Sequence, residues 1–111
     1  GTPTWAPTLA RSLWAALAKP ELCGIYHCTD AGVSSWYDFA VAIQEEALVL
    51  GLLDRAIPLR PLRSQDYPTP AKRPAYSVLD KTATWAALEQ PVRHWRANLR
   101  DMLAQLPENH A

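Results

Sequence analysis

Between Asp66 and Asp80 the chain places three prolines, at 68, 70 and 74, and two tyrosines within fifteen residues. Each proline ring fixes φ near −65°, removes a backbone donor and drives the preceding residue towards extended geometry. Neither an amphipathic helix nor an alternating strand can run through such a stretch. The fold must therefore be built from what lies on either side, with this segment as a stiff loop. Stiffness has a use: Tyr67, Lys72, Arg73, Tyr76 and Ser77 are held with little ordering entropy left to lose on binding. The set suits a phosphate plus a flat ring or a sugar. The other reading is a connector that only joins elements.

On the N-terminal side, Leu9, Leu13 and Leu17, with Ala10 and Ala16, make an apolar stripe at helical spacing, so a helix is expected from about Pro7 to Ala18. Pro7 suits an early helical position and Lys19-Pro20 ends the run. Gly24-Ile25-Tyr26-His27-Cys28 is short, β-prone and followed by the turn cluster Thr-Asp-Ala-Gly, which reads as a buried strand. Ser34 or Ser35 then caps a second helix, with Asp38 three residues after Ser35 as in a capping box. Its expected core face is Trp36, Phe39, Ala40, Ile43, Ala47 and Leu50, with Gly51 as the stop. Residues 56–62 alternate weakly but hold two prolines, which reads as an edge strand or extended segment.

Beyond the proline segment, Asp80 is the expected cap of a short helix through Leu88. The last helix should run from about Val92 to Leu106. Trp95, Leu99, Met102, Leu103 and Leu106 share one face, while Arg93, Arg96, Arg100 and Asp101 lie largely off it. About four helices interleaved with two or three short strands predict an α/β, or α+β-like, small lobe. It forms one domain over 1–111, too small for a full doubly wound sheet.

Eleven basic and eleven acidic residues cancel, so wholesale nucleic-acid binding has no electrostatic footprint. No apolar run approaches the ~20 residues of a membrane span, and no signal-peptide pattern opens the chain. On one strand, Cys23 and Cys28 would stand roughly 16 Å apart at ~3.3 Å per residue. That is too far for a disulfide, and with His27 the spacing matches no common zinc signature. Free thiols point to a reducing cytoplasm. The chain opens on Gly1-Thr2-Pro3-Thr4 and reads as a piece of something longer.

Glycine occurs only at 1, 24, 32 and 51, so no glycine-rich dinucleotide or phosphate loop can be written. No tyrosine has a lysine four residues on. Chemistry by this chain alone is not expected, and it offers no catalytic, cofactor or metal residue. Arg60, Arg63, Lys72 and Arg73 fall within fourteen residues that hold a single acid, Asp66. Such a cluster can hold a phosphate, arginine being favoured for its bidentate fork, or can be a solvated basic face. Arg73 is the foremost candidate, because Pro74 limits its backbone. His27, at the end of the expected strand, is a ligand or a hydrogen-bonded core histidine. Trp36 and Trp95 are core by period, whereas Trp5 lies outside any periodic run. Thr4 either caps the first helix or lines a site.

Taken in order, several blocks resemble one family. They are Gly1-Thr2-Pro3-Thr4 before Leu9-Ala10, Gly24-Ile25-Tyr26-His27, and Ser35-Trp36-Tyr37-Asp38-Phe39-Ala40. Asp66-Tyr67-Pro68-Thr69-Pro70-Ala71 and Arg73-Pro74-x-x-Ser77-x-Leu79-Asp80 continue the match, and Trp95 with Leu99 closes it. The chain resembles the C-terminal part of the dTDP-4-dehydrorhamnose reductases, which are extended short-chain dehydrogenase/reductases.

The resemblance implies a parent enzyme that uses NADPH or NADH to reduce the 4-keto group of dTDP-4-dehydro-L-rhamnose, giving dTDP-L-rhamnose. It implies a Rossmann domain that carries the cofactor and the Tyr-x-x-x-Lys pair, over which this chain closes as a substrate-binding lobe. It makes Arg73, Thr4, Tyr67 and Ser77 the candidate substrate-binding residues, with Arg73 near the nucleotide diphosphate. Partners so implied are a dTDP-linked deoxysugar, the Rossmann domain and, in some relatives, a second copy through magnesium. Gln105 stands where a carboxylate would be sought for that metal, so the metal is not carried over. Two alternatives stay open: a non-catalytic regulatory module built on the same lobe, and a reductase of another nucleotide sugar.

Overall fold

A computed structural model of the chain describes residues 1–67 and 69–106. Pro68, one of the three prolines of the stiff segment, lies outside the described residues. Four helices are present among them: α1 (Ala6–Leu17), α2 (Trp36–Val49), α3 (Thr82–Leu88) and α4 (Trp95–Ala104). A single 3-10 turn covers Ser64–Asp66.

The expected strands are not there. Among the described residues there is no strand, and the one isolated β-bridge is parallel, from Ala31 to His94. Around Gly24–Cys28 the backbone is irregular, and no backbone–backbone hydrogen bond engages residues 23 to 30. Far from being buried, Ile25 and Tyr26 face solvent. β-branched and aromatic residues favour a strand only where a ladder and a packed face receive them, and this chain supplies neither. Residues 56–62 are irregular and mostly exposed too, Pro58 and Pro61 having removed two ladder donors. The lobe is a mainly helical small domain, not an α/β unit.

Local signals do set the helix starts. Ser35 Oγ accepts the Asp38 N–H at 3.0 Å, the bond expected of a capping serine. Asp80 Oδ1 accepts from Thr82 N–H at 3.0 Å and so serves α3 from one residue before its cap position. This backbone N–H holds the Asp80 carboxyl below its ordinary range. His94 Nδ1 accepts from Arg96 N–H at 3.1 Å and caps α4. Thr4 caps nothing: Trp5 is the N-cap of α1, with no side-chain bond. Gly51, at φ 76°, follows the end of α2 in the left-handed region that suits glycine.

Packing pairs α2 with α4 and α1 with α3. The core cluster is Ala42, Trp95, Leu99 and Leu103, flanked by Phe39, Leu52 and Met102. Trp95, Leu99 and Leu103 of the α4 stripe therefore pack as their period required, with Met102 partly buried beside them. The helix stops at Ala104 and leaves Leu106 exposed. By contrast, α2 is turned from its expected face, burying Ala42, Glu46 and Ala47. Trp36, expected in the core, is 87% exposed and stacks on Phe39 at 6.3 Å. The cause is Glu46, drawn inward by two arginines of α4. Its carboxylate accepts from Arg96 Nε at 3.2 Å and from Arg100 Nε and Nη2 at 3.0 and 3.1 Å. The leucine stripe of α1 is also not core, since the helix buries no residue.

Candidate functional site

The N-terminal segment is stitched along residues 30–34. Gly1 and Ser34 exchange hydrogen bonds, Ser34 N–H to Gly1 O at 2.9 Å and the Gly1 amine to Ser34 O at 3.3 Å. Thr2 Oγ1 donates to Gly32 O at 2.6 Å, and Trp5 N–H donates to Asp30 Oδ2 at 3.1 Å. Gly32, at φ 91°, makes the turn that allows this, with its α-carbon against the His94 ring.

Two hollows flank this stitched region. The smaller, about 220 Å³, has Phe39, Trp95, Leu99 and Met102 as its apolar wall and Thr4 and Trp5 on its rim. The larger, about 250 Å³, lies between α1, α3 and the start of α4, and includes Arg11, Ser12, Thr29 and Arg93. Asp30 and Asn98 line both. Each is buried, at 3% and 1% exposure, and each has an Oδ1 with no hydrogen-bond partner. Asn98 Nδ2 is held by Thr8 Oγ1 at 3.3 Å, and Trp95 Nε1 is a third buried polar atom without a partner. Two orphaned acceptors and one orphaned donor beside ring faces suit a molecule carrying hydroxyls. Both residues escaped the sequence reading. Asp30 passed for part of a turn cluster, whereas Asn98 carried a usable signal, a polar residue beside Leu99 and between Trp95 and Met102 on an apolar face.

The four expected substrate residues fall into two groups. Thr4 lines the smaller hollow, with its hydroxyl donating to Thr2 O at 3.2 Å. Ser77 comes next to Gly1, whose added Cβ would lie 3.4 Å from Ser77 Oγ, so the end of the proline segment meets the stitched N-terminus. Tyr67 and Arg73 instead stand exposed on the loop, away from both hollows. The loop's charge is uneven. Arg63 occupies Asp66 through Nε at 3.1 Å, and among the described residues Arg60, Lys72 and Arg73 have no acidic partner. His27 is exposed, and its carbonyl accepts from Thr84 Oγ1. Cys23 and Cys28 are free thiols, Cys28 Sγ lying 3.3 Å from Ser12 Oγ. No helix among the described residues is long and apolar enough to cross a membrane.

The chain is similar in sequence to known proteins over most of its length. Residues 1–108 match the model of the RmlD substrate binding domain. The dTDP-4-dehydrorhamnose reductase of Streptomyces griseus is 41% identical over 110 residues, covering 96% of this chain and 34% of that protein. Spore coat polysaccharide biosynthesis protein SpsK of Bacillus subtilis (strain 168) is 39% identical over 106 residues, 95% of this chain and 34% of its own length. A probable dTDP-4,6-dihydroxy-2-methyloxan-3-one 4-ketoreductase of Streptomyces antibioticus is 42% identical over 103 residues, 91% of this chain and 32% of that protein. The chain spans about a third of the length of these relatives. On this match over nearly its whole length, the chain belongs to the RmlD substrate binding domain family.

Proposed function

We infer that this chain is the sugar-nucleotide-holding lobe of an NADPH- or NADH-dependent reductase converting dTDP-4-dehydro-L-rhamnose to dTDP-L-rhamnose. The observation that carries the reading is the family match over residues 1–108, joined by relatives whose names specify dTDP-linked keto sugars. Lys72 and Arg73 on the proline-stiffened loop, with Arg60 before it, have no acidic partner among the described residues and support it, because a diphosphate needs donors that are not already paired. In this reading Arg73 engages the diphosphate, Tyr67 covers the base or sugar, and Thr4 and Ser77 form the rim. The residues present do not fit a nicotinamide cofactor. Four separated glycines and no strand among the described residues leave no strand–glycine turn–helix cradle. The cofactor and the acid–base pair are assigned to the part of the enzyme that this chain does not span, and the enzyme works in the cytoplasm.

A chimera tests this reading: the 111 residues replace the matching stretch of the Streptomyces griseus reductase. NADPH oxidation with dTDP-4-dehydrorhamnose, followed by absorbance, is expected. Arg73→Gln should raise KM about tenfold, the equivalent of one charge-assisted contact of about 1.4 kcal/mol. A folded chimera with no turnover, beside an active parent, would sink the reading. Turnover only with another dTDP-linked keto sugar would move the substrate.

A further inference from the structure

Helix α1 is packed with its polar side inward. Thr8, Ser12, Ala15 and, just beyond the helix, Lys19 are half-buried, with Ser12 against Cys28 and Lys19 Nζ donating to Ala87 O at 2.6 Å. The opposite side is apolar and open: Leu13 is 60% exposed, Trp14 74% and Leu17 72%. Amphipathic helices bury their apolar stripe wherever something can receive it, so this face lacks its receiver. A second observation lies beside it. The segment after α1 returns along the helix with Ile25 88% exposed. Its backbone from 23 to 30 makes no backbone–backbone hydrogen bond among the described residues. Over 23–29 only the His27 carbonyl is engaged among the described residues, by the Thr84 hydroxyl. The other backbone groups stand unpaired beside an open leucine stripe, which is half of an interface.

The size of what is missing can be read from the surface. The chain exposes 8578 Å², whereas a compact monomer of 12.4 kDa exposes about 6,100 Å². Its radius of gyration is 16.7 Å, against about 13 Å for a compact domain of this length. An excess on this scale matches a domain-sized occupant and exceeds what a short peptide covers. The relatives point to the same occupant, since this chain spans about a third of their length.

We propose that α1's leucine stripe and the largely open segment 23–29 form the docking face for the remainder of the reductase, the part of the relatives' length outside this chain. The occupant presents an aliphatic surface to Leu13, Trp14 and Leu17, and backbone donors and acceptors to residues 23–29. This rests on the lobe assignment above, and it names the surface by which the lobe is held.

Hydrogen–deuterium exchange on the 111-residue chain and on the chimera tests it. Amides of 24–29 should exchange freely in the chain alone and slow at least about a hundredfold in the chimera. Leu13→Asp should leave the melting point of the chain alone unchanged, since that side chain is solvated, and lower that of the chimera by several degrees. Equal exchange in both proteins overturns the proposal, as does a Leu13→Asp cost equal in both. A dimer of the chain alone that Leu13→Asp dissolves, seen by sedimentation, gives the face to a second copy instead. A chimera that does not fold while the chain does also counts against the docking. The two readings fail separately: a protected but inactive chimera sinks the reductase function alone, and an active but unprotected one sinks the docking face alone.

Discussion

Replacing Glu46 by glutamine removes a charge that α2 buries at 6% exposure and leaves the side chain's shape intact. The carboxylate accepts three N–H bonds, from Arg96 and Arg100, at 3.0 to 3.2 Å. Breaking a fully buried pair costs about 3–5 kcal/mol, whereas an exposed pair is worth about 0.2–1 kcal/mol. This network lies between those limits, because the arginine side chains are 36% and 59% exposed and Arg96 keeps Glu45 at 2.7 Å. Glutamine also retains one acceptor. The expected loss is therefore about 1.5 kcal/mol, or about 8 °C in melting temperature for a domain of this size. Acid adds a second readout. The Arg100 hydrogen bonds hold the Glu46 carboxyl below its ordinary 4.5 against the opposing effect of burial, with Arg96 assisting. A depressed folded value means the stabilisation is present above the unfolded pKa and is lost as pH falls through the folded one. Thermal melts from pH 7 down to pH 3 should thus show the parent losing its advantage over Glu46→Gln below about pH 4.5. An Arg100→Gln, Glu46→Gln double variant should cost less than the sum of the singles. If Glu46→Gln melts within a degree or two of the parent at neutral pH and follows the same acid limb, the network is idle. The turned face of α2 then needs another cause.

Two further outcomes separate packed from open surfaces and strained from free glycines. Leu99→Ala, in the core cluster, should cost about 3 kcal/mol in urea unfolding, while Leu17→Ala on the open face of α1 should change stability by less than about 0.5 kcal/mol. Gly32→Ala should destabilise well beyond Gly24→Ala in thermal melts. Both sit at positive φ, but a Cβ at 32 collides with the His94 ring that caps α4, whereas one at 24 meets nothing within 4 Å.

What the chain reveals before folding depends on how far each cause lies along it. The Ser35 cap and the α4 stripe were readable because each is settled within a few residues: a serine three before Asp38, and Trp95, Leu99 and Leu103 at helical steps. The α1 stripe was readable as an apolar face, but not whether the same chain covers it, because periodicity reports only that a side is apolar. Residues 24–28 failed for the same reason, since β propensity is a statement about a neighbour. Glu46 was hidden because its arginines lie fifty and fifty-four residues away. At the candidate site, the proline-rich loop and its cluster of basic residues were legible from the sequence, but not which of those cations meet an acid, and Ser77 lies beside Gly1. The hollow walls at Asp30 and Asn98 were not, because their contacts, Trp5 N–H and Thr8 Oγ1, span 25 and 90 residues.

The weight that α4 carries in the core has a consequence for synthesis. Three of the four residues of the core cluster belong to it. Thr8 is tied to Asn98 at its centre, and Ala31 pairs with Arg93 and Trp95 at its start. At about 5–20 residues per second, a nascent chain spends several seconds with α2 made and α4, its partner in the core, still absent. A chain halted after the proline-rich loop therefore holds no half-formed core, and its Glu46 is still in water. The core is closed by the fourth helix: of the four described, the one made last turns the other three into a structure.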